Sequence, residues 1–246
     1  MQRRRIVLVV SGCLAIAWPA AAEYREVNVD NGGSITGHVH VTGEVPALPP
    51  QPVFKEQEVC GTTMRDERLI VGSGGALRNA VVHLTEVKAG KAVPSERPVA
   101  LENAKCAFVP HVATAAVGQT LTIHNSDPFL HDAHALIGAR TLFNVAVPKG
   151  KTVRKPLAYP GLIHINCNVR HTWMHAYLFV AEHPYHAVTG DDGGFVLDGV
   201  PPGKYTLSVW HELLGSVERE VEVQSGKVAT ADIALPVAAE IPSEAP

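Results

Sequence analysis

The sequence has little cysteine, no segment with a sustained helical period and no long apolar run beyond its first 22 residues. None of its four Cys lies in a C-x-x-C-H motif, which excludes covalently attached c-type haem. A phosphate-binding glycine loop, G-x-S-x-G and H-E-x-x-H are also missing, so the usual signatures of nucleotide hydrolases, serine hydrolases and zinc peptidases are absent. No later apolar run approaches the roughly 20 residues of a membrane-spanning helix.

The N-terminus has the three-part pattern of an export signal. Basic RRR is followed by the apolar run IVLVVSGCLAIAW and by the small residues PAAA before Glu23. We expect cleavage after Ala22 and a periplasmic or secreted protein, with a lipoprotein site at Cys13 as the weaker alternative because the apolar run continues past it. Removal of residues 1–22 takes away three Arg and no acid, which leaves 18 basic and 24 acidic side chains, a formal charge of −6. This charge argues against nucleic acid as a partner and favours a partner with a basic docking surface.

Three cysteines are left after cleavage, and an odd number in an exported chain leaves one thiol unpaired. Cys60 and Cys106 have no His or second Cys at metal-binding spacing. We therefore expect them to form a disulfide in an oxidising compartment. Cys167 is then the free thiol.

Gly and Pro punctuate the whole chain, with 21 and 18 copies, and short segments of alternating polarity run between them. This pattern predicts an all-β protein. In GLIHINCN, alternation places Ile163, Ile165 and Cys167 on one face of a strand. In VEREVEV, Val alternates with Glu and Arg, as in an antiparallel strand with one solvated face.

The C-terminal third, AVTGDDGGFVLDGVPPGKYTLSVW followed by VEVQSGKVATADIAL, resembles the carboxypeptidase regulatory-like, or transthyretin-like, β-sandwich. GSITGHVHVTGEVP near the start resembles the first strand of the same family. The sequence leaves open whether residues 33–100 and 184–236 build one sandwich with an inserted segment between them. The predicted regions are a signal peptide (1–22), an N-terminal β region (23–105), a second β-domain (106–182), the carboxypeptidase regulatory-like sandwich (183–236) and a flexible tail (237–246).

One short stretch, CNVRHTWM, places Cys167, His171 and Met174 in a predicted turn between two strands. A tight turn can deliver several ligands to one metal ion, and His131, directly after an earlier strand, is the candidate for the fourth ligand. One thiolate, two imidazoles and a thioether are the donors of a blue-copper site, in which Met is a weak axial ligand. Structural zinc would favour more thiolates or a carboxylate, so zinc is the second choice of metal.

The order and spacing of NSDPFLH and CNVRHTWM, with FVPHVATAAVGQTLTIHN upstream, resemble the cupredoxins over roughly residues 106–182. This resemblance implies a Greek-key β-sandwich of cupredoxin type joined to the transthyretin-like one. It also implies that His131, Cys167, His171 and Met174 bind copper. A binuclear copper centre needs a second Cys four residues before the first, where this chain has Ile163, so we expect one ion.

Two residues depart from the family pattern. Asp132 stands where many cupredoxins have an Asn that ties the two ligand loops together, and its charge would favour oxidised copper. His175 follows Met174 and would replace it as a ligand if the loop bends, although strand alternation points its side chain the other way. His134 is the substitute for His131. We expect Trp173 to screen the metal from water.

Four protein donors leave no coordination position for a substrate, so the sequence predicts single-electron transfer rather than catalysis. The expected partner is a redox protein such as a cytochrome or a copper or haem enzyme. The edge of the His171 ring is the natural exit for the electron if it lies near the surface. Two other functions stay open: copper binding or delivery, and a non-catalytic β-sandwich interaction module. The main catalytic alternative is a nucleophilic Cys–His pair. Such a pair needs a substrate pocket and an oxyanion hole, and the sequence shows no sign of either.

Overall fold

The structure is a computed structural model and describes residues 24–237. The predicted signal peptide (1–22) lies outside this range. Of the predicted tail (237–246), all residues except Val237 also lie outside it. Val237 donates a backbone hydrogen bond to Thr42 over 2.8 Å. No helix in residues 24–237 has the length and apolar character needed to cross a membrane.

The prediction of an all-β protein is confirmed, since strands dominate and the helical elements are the short helix α1 (Gln57–Cys60) and a 3-10 turn (Ser73–Gly75). The strands are β1 Arg25–Glu26, β2 Gly33–Thr42, β3 Gln51–Pro52, β4 Thr63–Met64, β5 Val81–Leu84, β6 Ala89–Gly90, β7 Val99–Ala104, β8 Ala107–Val109, β9 Val112–Ala116, β10 Thr120–Asn125, β11 His131–Ile137, β12 Arg140–Val147, β13 Thr152–Pro156, β14 Gly161–Asn166, β15 His175–Ala181, β16 His186–Val188, β17 Gly194–Val200, β18 Gly203–His211, β19 Gly215–Val223, β20 Val228–Thr230 and β21 Ile233–Pro236.

Strands β7–β15 form what we call the central sandwich. One sheet has the order β13-β10-β7-β8 and the other the order β12-β11-β14-β15-β9. Alternating apolar residues of both sheets, such as Ile123, Ile163 and Leu178, are buried between them. Because β7 pairs in parallel with β10, this sandwich begins at Val99, before the boundary at residue 106 drawn from the sequence.

The remaining long strands form what we call the outer sandwich. Its sheets are β16-β5-β18-β19 and β17-β2-β20, with β21 also paired to β2. Its core includes Ile35, Leu84, Leu197 and Leu207, each nearly or fully buried. Strands β2 and β5 precede the central sandwich in the chain and β16–β21 follow it, so the central sandwich is an insertion within the outer one.

A small apolar cluster joins the two sandwiches. Val112 and Tyr177 from the central sandwich pack with Val81 from the outer one, and Trp210 packs at the edge of this cluster. The rings of Tyr177 and Trp210 have centroids 5.1 Å apart. The turn between β18 and β19 therefore lies against the central sandwich.

Candidate metal centre

The topology of the central sandwich brings the predicted ligand segments together. Strands β11 and β14 are antiparallel neighbours, with His134 opposite Asn166, so the start of β11 lies beside the end of β14. His131 is the first residue of β11, and Cys167 directly follows β14. The hydrophobic alternation of β14 places Cys167 on the same buried face as Ile163 and Ile165.

The loop from Cys167 to Met174 is closed by backbone hydrogen bonds. The N–H of Met174 donates to the carbonyl of His171 over 2.8 Å, and the N–H of Cys167 donates to the carbonyl of Met174 over 3.2 Å. Arg170 adopts a left-handed conformation with φ of 70°, which allows the chain to turn sharply before His171. This loop directs His171 back toward Cys167.

Three of the four predicted ligands converge on one point. The Cys167 sulfur lies 3.7 Å from His131 Nδ1 and 3.6 Å from His171 Nδ1, and the two Nδ1 atoms are 3.1 Å apart. His131 and His171 are fully buried and Cys167 is nearly so. Ligands held about 2.0–2.3 Å from one ion have separations of this size. The donor set therefore fits a single metal ion.

Met174 is buried in the same core cluster as Cys167. Ala176 and Leu178 of β15 belong to the same core. Met174, the residue before β15, therefore belongs to the interior of the central sandwich.

The environment keeps both imidazoles neutral. Burial lowers the pKa of His131, although the nearby Asp127 opposes this. Burial and the adjacent His131 lower the pKa of His171 to about 4. Burial also raises the pKa of the Cys167 thiol to about 11. A positive ion bound among these groups would favour the thiolate, so metal uptake must release the thiol proton.

Asp127, which the sequence pattern did not single out, is a further residue of the site. Its Oδ2 accepts a hydrogen bond from His131 Nε2 over 2.9 Å, which leaves the lone pair of His131 Nδ1 facing the cluster. The same carboxylate accepts backbone hydrogen bonds from Lys105 and Cys106 over 2.7 and 2.9 Å. Asp127 lies inside the motif NSDPFLH, four residues before His131, and that spacing is the signal that could have identified it.

Asp132 ties the two ligand loops together because its carboxylate accepts a hydrogen bond; it does not donate one. Its Oδ1 accepts a hydrogen bond from the backbone N–H of Asn168, the residue after Cys167. A carboxylate can accept hydrogen bonds but cannot donate them. The structure needs only an acceptor here, so Asp132 holds the loops together while adding a negative charge.

The two alternative ligands point elsewhere. His134 lies on the face of β11 opposite His131, where its ring contacts Asn168 Nδ2 and Thr141 Oγ1, each at 2.9 Å. His175 faces the outer sandwich, where it lies near His111 and Glu212. Strand alternation explains both placements.

Aromatic rings surround the cluster. Phe129 lies 5.1 Å from His131 and 5.4 Å from His171, and Trp173 lies 5.2 Å from His171 between ring centroids. Trp173 Nε1 donates to the carbonyl of Cys106 over 2.9 Å. That Trp173 screens a bound metal from water stays a prediction.

The condition set for an electron exit through the His171 ring, a position near the surface, is not met, because His171 has 0% exposure. The segment around α1 carries Val53 and Cys60, which pack into the same core cluster as Trp173 and Met174. The expected disulfide joins Cys60 to Cys106 and fixes this segment to the central sandwich. Among residues 24–237, Cys167 is the free cysteine.

Comparison with known proteins gives a family for one part of the chain and similar structures for another. Residues 176–236 match the family described as the carboxypeptidase regulatory-like domain. This match supports the resemblance of the outer sandwich to that family. No curated protein matches the chain.

Part of this chain is similar to several solved structures. One is a copper-containing nitrite reductase from Thermus scotoductus SA-01, with 24% identity, a TM-score of 0.32, and coverage of 36% of this chain and 23% of the reductase. Another is a mutant of amicyanin in its reduced state, with 20% identity, a TM-score of 0.31, and coverage of 36% of this chain and 96% of amicyanin. A purple cupredoxin from Nitrosopumilus maritimus has 19% identity, a TM-score of 0.30, and coverage of 34% and 98%. This chain thus spans less than a quarter of the reductase.

Proposed function

We propose that this protein binds one copper ion through His131, Cys167, His171 and Met174 and transfers single electrons between redox partners. The observation that carries the proposal is the buried cluster of two Nδ1 atoms and one sulfur, 3.1–3.7 Å apart. Sulfur and imidazole donors of this kind suit copper in both of its oxidation states. Copper bound there would supply a one-electron redox couple.

The protein's own residues would keep this site rigid and dry. Asp127 holds the His131 ring, Asp132 holds the backbone after Cys167, and two backbone hydrogen bonds close the loop to Met174. A site fixed before the ion arrives changes little when the charge on the ion changes, which favours fast electron transfer. Four protein donors would also leave no position for a substrate, so we propose a carrier and not an enzyme.

We propose that the partner is a redox protein that meets this chain outside the cytoplasm. The predicted mature chain has a formal charge of −6, which favours a partner with a basic docking surface. The outer sandwich would then act as a scaffold or a docking module. Lower rates of electron transfer at high ionic strength would support this attraction between opposite charges.

Copper titration tests the proposal. Residues 23–246 are expressed, Cu(II) is added, and visible and electron paramagnetic resonance spectra are recorded for this protein and for Cys167→Ser. One equivalent of Cu(II) should give an intense thiolate-to-copper band that Cys167→Ser lacks. A protein that stays colourless, or a band that survives in Cys167→Ser, would overturn the assignment. Rapid loss of copper to a chelator would instead favour copper delivery.

A further inference from the structure

A second group of metal-binding side chains lies where the two sandwiches meet. It contains His111, the residue before β9, His175, the first residue of β15, and Glu212, in the turn after β18. One potential ligand atom from each of these residues lies within 4.8 Å of the others. His111 and His175 belong to the central sandwich and Glu212 to the outer one, so the group spans the junction.

The three side chains are well buried. Exposure is 6% for the side chain of His111, 10% for His175 and 2% for Glu212. Taking a carboxylate out of water costs free energy unless a partner compensates it. The group therefore needs a strong interaction that holds Glu212 at this position.

The contacts within the group satisfy only some of its buried hydrogen-bonding atoms. His111 Nε2 and Glu212 Oε1 form a close hydrogen bond. His175 Nε2 and Glu212 Oε2, in contrast, are 3.5 Å apart, and both atoms are buried without a hydrogen bond. Unpaired polar atoms are rare in protein interiors and need an explanation. An ion between them would satisfy both.

The surroundings suit an ion that enters from outside. A small cavity of about 80 Å³ is lined by His111 and His175 together with Met174 and Trp173. A larger groove of about 470 Å³ reaches His175 from the side of His164. These two spaces provide an entry path to the imidazoles.

We propose that His111, His175 and Glu212 form a second metal site, for a divalent transition-metal ion of the zinc type. Two imidazoles and one carboxylate are a common ligand set for Zn²⁺, in which a water or a further donor completes the coordination. Two ligands of one zinc ion lie at most about 4.2 Å apart, so binding would draw the three side chains slightly closer together. The site would cross-link the two sandwiches, and it stands independently of the proposed copper centre.

The competing explanation is a buried ion pair between His111 and Glu212 that needs no metal. In that case His175, whose Nε2 lies 3.5 Å from Glu212 Oε2, would add only a longer contact to the pair. A metal site requires all three residues, so the effect of replacing His175 separates the two explanations.

Zinc binding to the Cys167→Ser protein tests the proposal, because this substitution removes the thiolate of the copper site. The full exported chain is stripped of metal and dialysed against Zn²⁺, and bound zinc is measured by mass spectrometry. One zinc per chain is expected, and His175→Gln or Glu212→Gln in this background should weaken binding at least about tenfold. His124→Gln, on the far sheet of the central sandwich, and His171→Gln, at the copper site, should leave binding unchanged.

A second measurement needs no further substitution. Zinc X-ray absorption of the Cys167→Ser protein should show nitrogen and oxygen ligands, including two imidazoles, and no sulfur. Zn²⁺ should also raise the temperature of unfolding, and this shift should be lost in Glu212→Gln. Absence of bound zinc, a sulfur ligand, or binding that depends on His171 and not on His175 would overturn the proposal.

Discussion

Asp127 and His131, four residues apart, share a hydrogen bond in which Nε2 of the imidazole donates to Oδ2 of the carboxylate over 2.9 Å. The same carboxylate accepts from the backbone of Cys106, which is covalently tied to Cys60. The carbonyl of Cys106 in turn accepts from Trp173. The backbone of Cys106 is therefore hydrogen-bonded to both loops that carry the proposed copper ligands.

Replacing Asp127 by Asn should weaken copper binding by about 10–100-fold, the range measured for other residues that orient metal ligands. An amide offers one acceptor oxygen in place of two, while three N–H groups point at this side chain. Its loss of charge should also raise the reduction potential, because the carboxylate stabilises the oxidised ion. Competition with a chelator and a redox titration check the two effects.

The matched control for this variant is Asp192→Asn, which removes an exposed carboxylate in a turn of the outer sandwich. The Asp192 carboxylate accepts a hydrogen bond from the N–H of Gly194 over 2.9 Å, and it lies outside the copper centre. Unchanged copper affinity in Asp127→Asn would show that the hydrogen bond does not orient His131.

Asp132→Asn should raise the reduction potential without loosening the loops. The amide oxygen can still accept from the N–H of Asn168, so the geometry is kept while one negative charge is removed. The wild-type potential should thus be lower than that of the variant in a redox titration. Equal or reversed potentials would contradict this role for the Asp132 charge.

Trp173→Phe should destabilise the metal-free protein by about 1–3 kcal/mol. The substitution leaves the buried carbonyl of Cys106 without its donor, and a buried polar group without a partner carries a cost of this size. Urea unfolding measures the change. Trp210→Phe at the junction of the sandwiches is the control for loss of an indole, and an equal or larger effect there would argue against the hydrogen bond.

His183 should make the protein less stable in acid. Its Nε2 donates to the carbonyl of Leu84 over 2.9 Å and its Nδ1 accepts from the N–H of Tyr185 over 3.2 Å, so the ring is held neutral. Burial lowers its pKa to about 4 in the folded chain, below the 6.5 of an exposed imidazole. The unfolded chain therefore binds the proton first, and this stability is complete above pH 6.5 and is lost as the pH falls toward 4.

The full loss from His183 is about 3 kcal/mol, at about 1.4 kcal/mol for each pH unit between the two pKa values. Urea unfolding between pH 7 and pH 4 should show a smaller loss of stability in His183→Gln than in the wild type. His124→Gln, which removes a more accessible imidazole, should keep the wild-type slope. An identical slope in His183→Gln would show that the ring is not the acid-sensitive group.

Local patterns predicted much of the site. Alternation in GLIHINCN set the face of Cys167, alternation after Met174 set the direction of His175, and cysteine counting gave the disulfide. The burial of the loop around His171 was not predictable, because Val53 and Cys60, more than 100 residues earlier, pack into the same core as Trp173 and Met174. Glu212 could not be predicted for a similar reason. A single carboxylate in a turn is a candidate ligand only once the outer sandwich brings it close to His111 and His175.

A coulometric redox titration of the copper-loaded protein tests the central claim most directly. A single-copper electron carrier should take up one electron per chain reversibly and keep its metal over repeated cycles. The Cys167→Ser protein, treated with copper in the same way, should lack this couple. Release of copper on reduction, or the same one-electron couple in Cys167→Ser, would contradict the account.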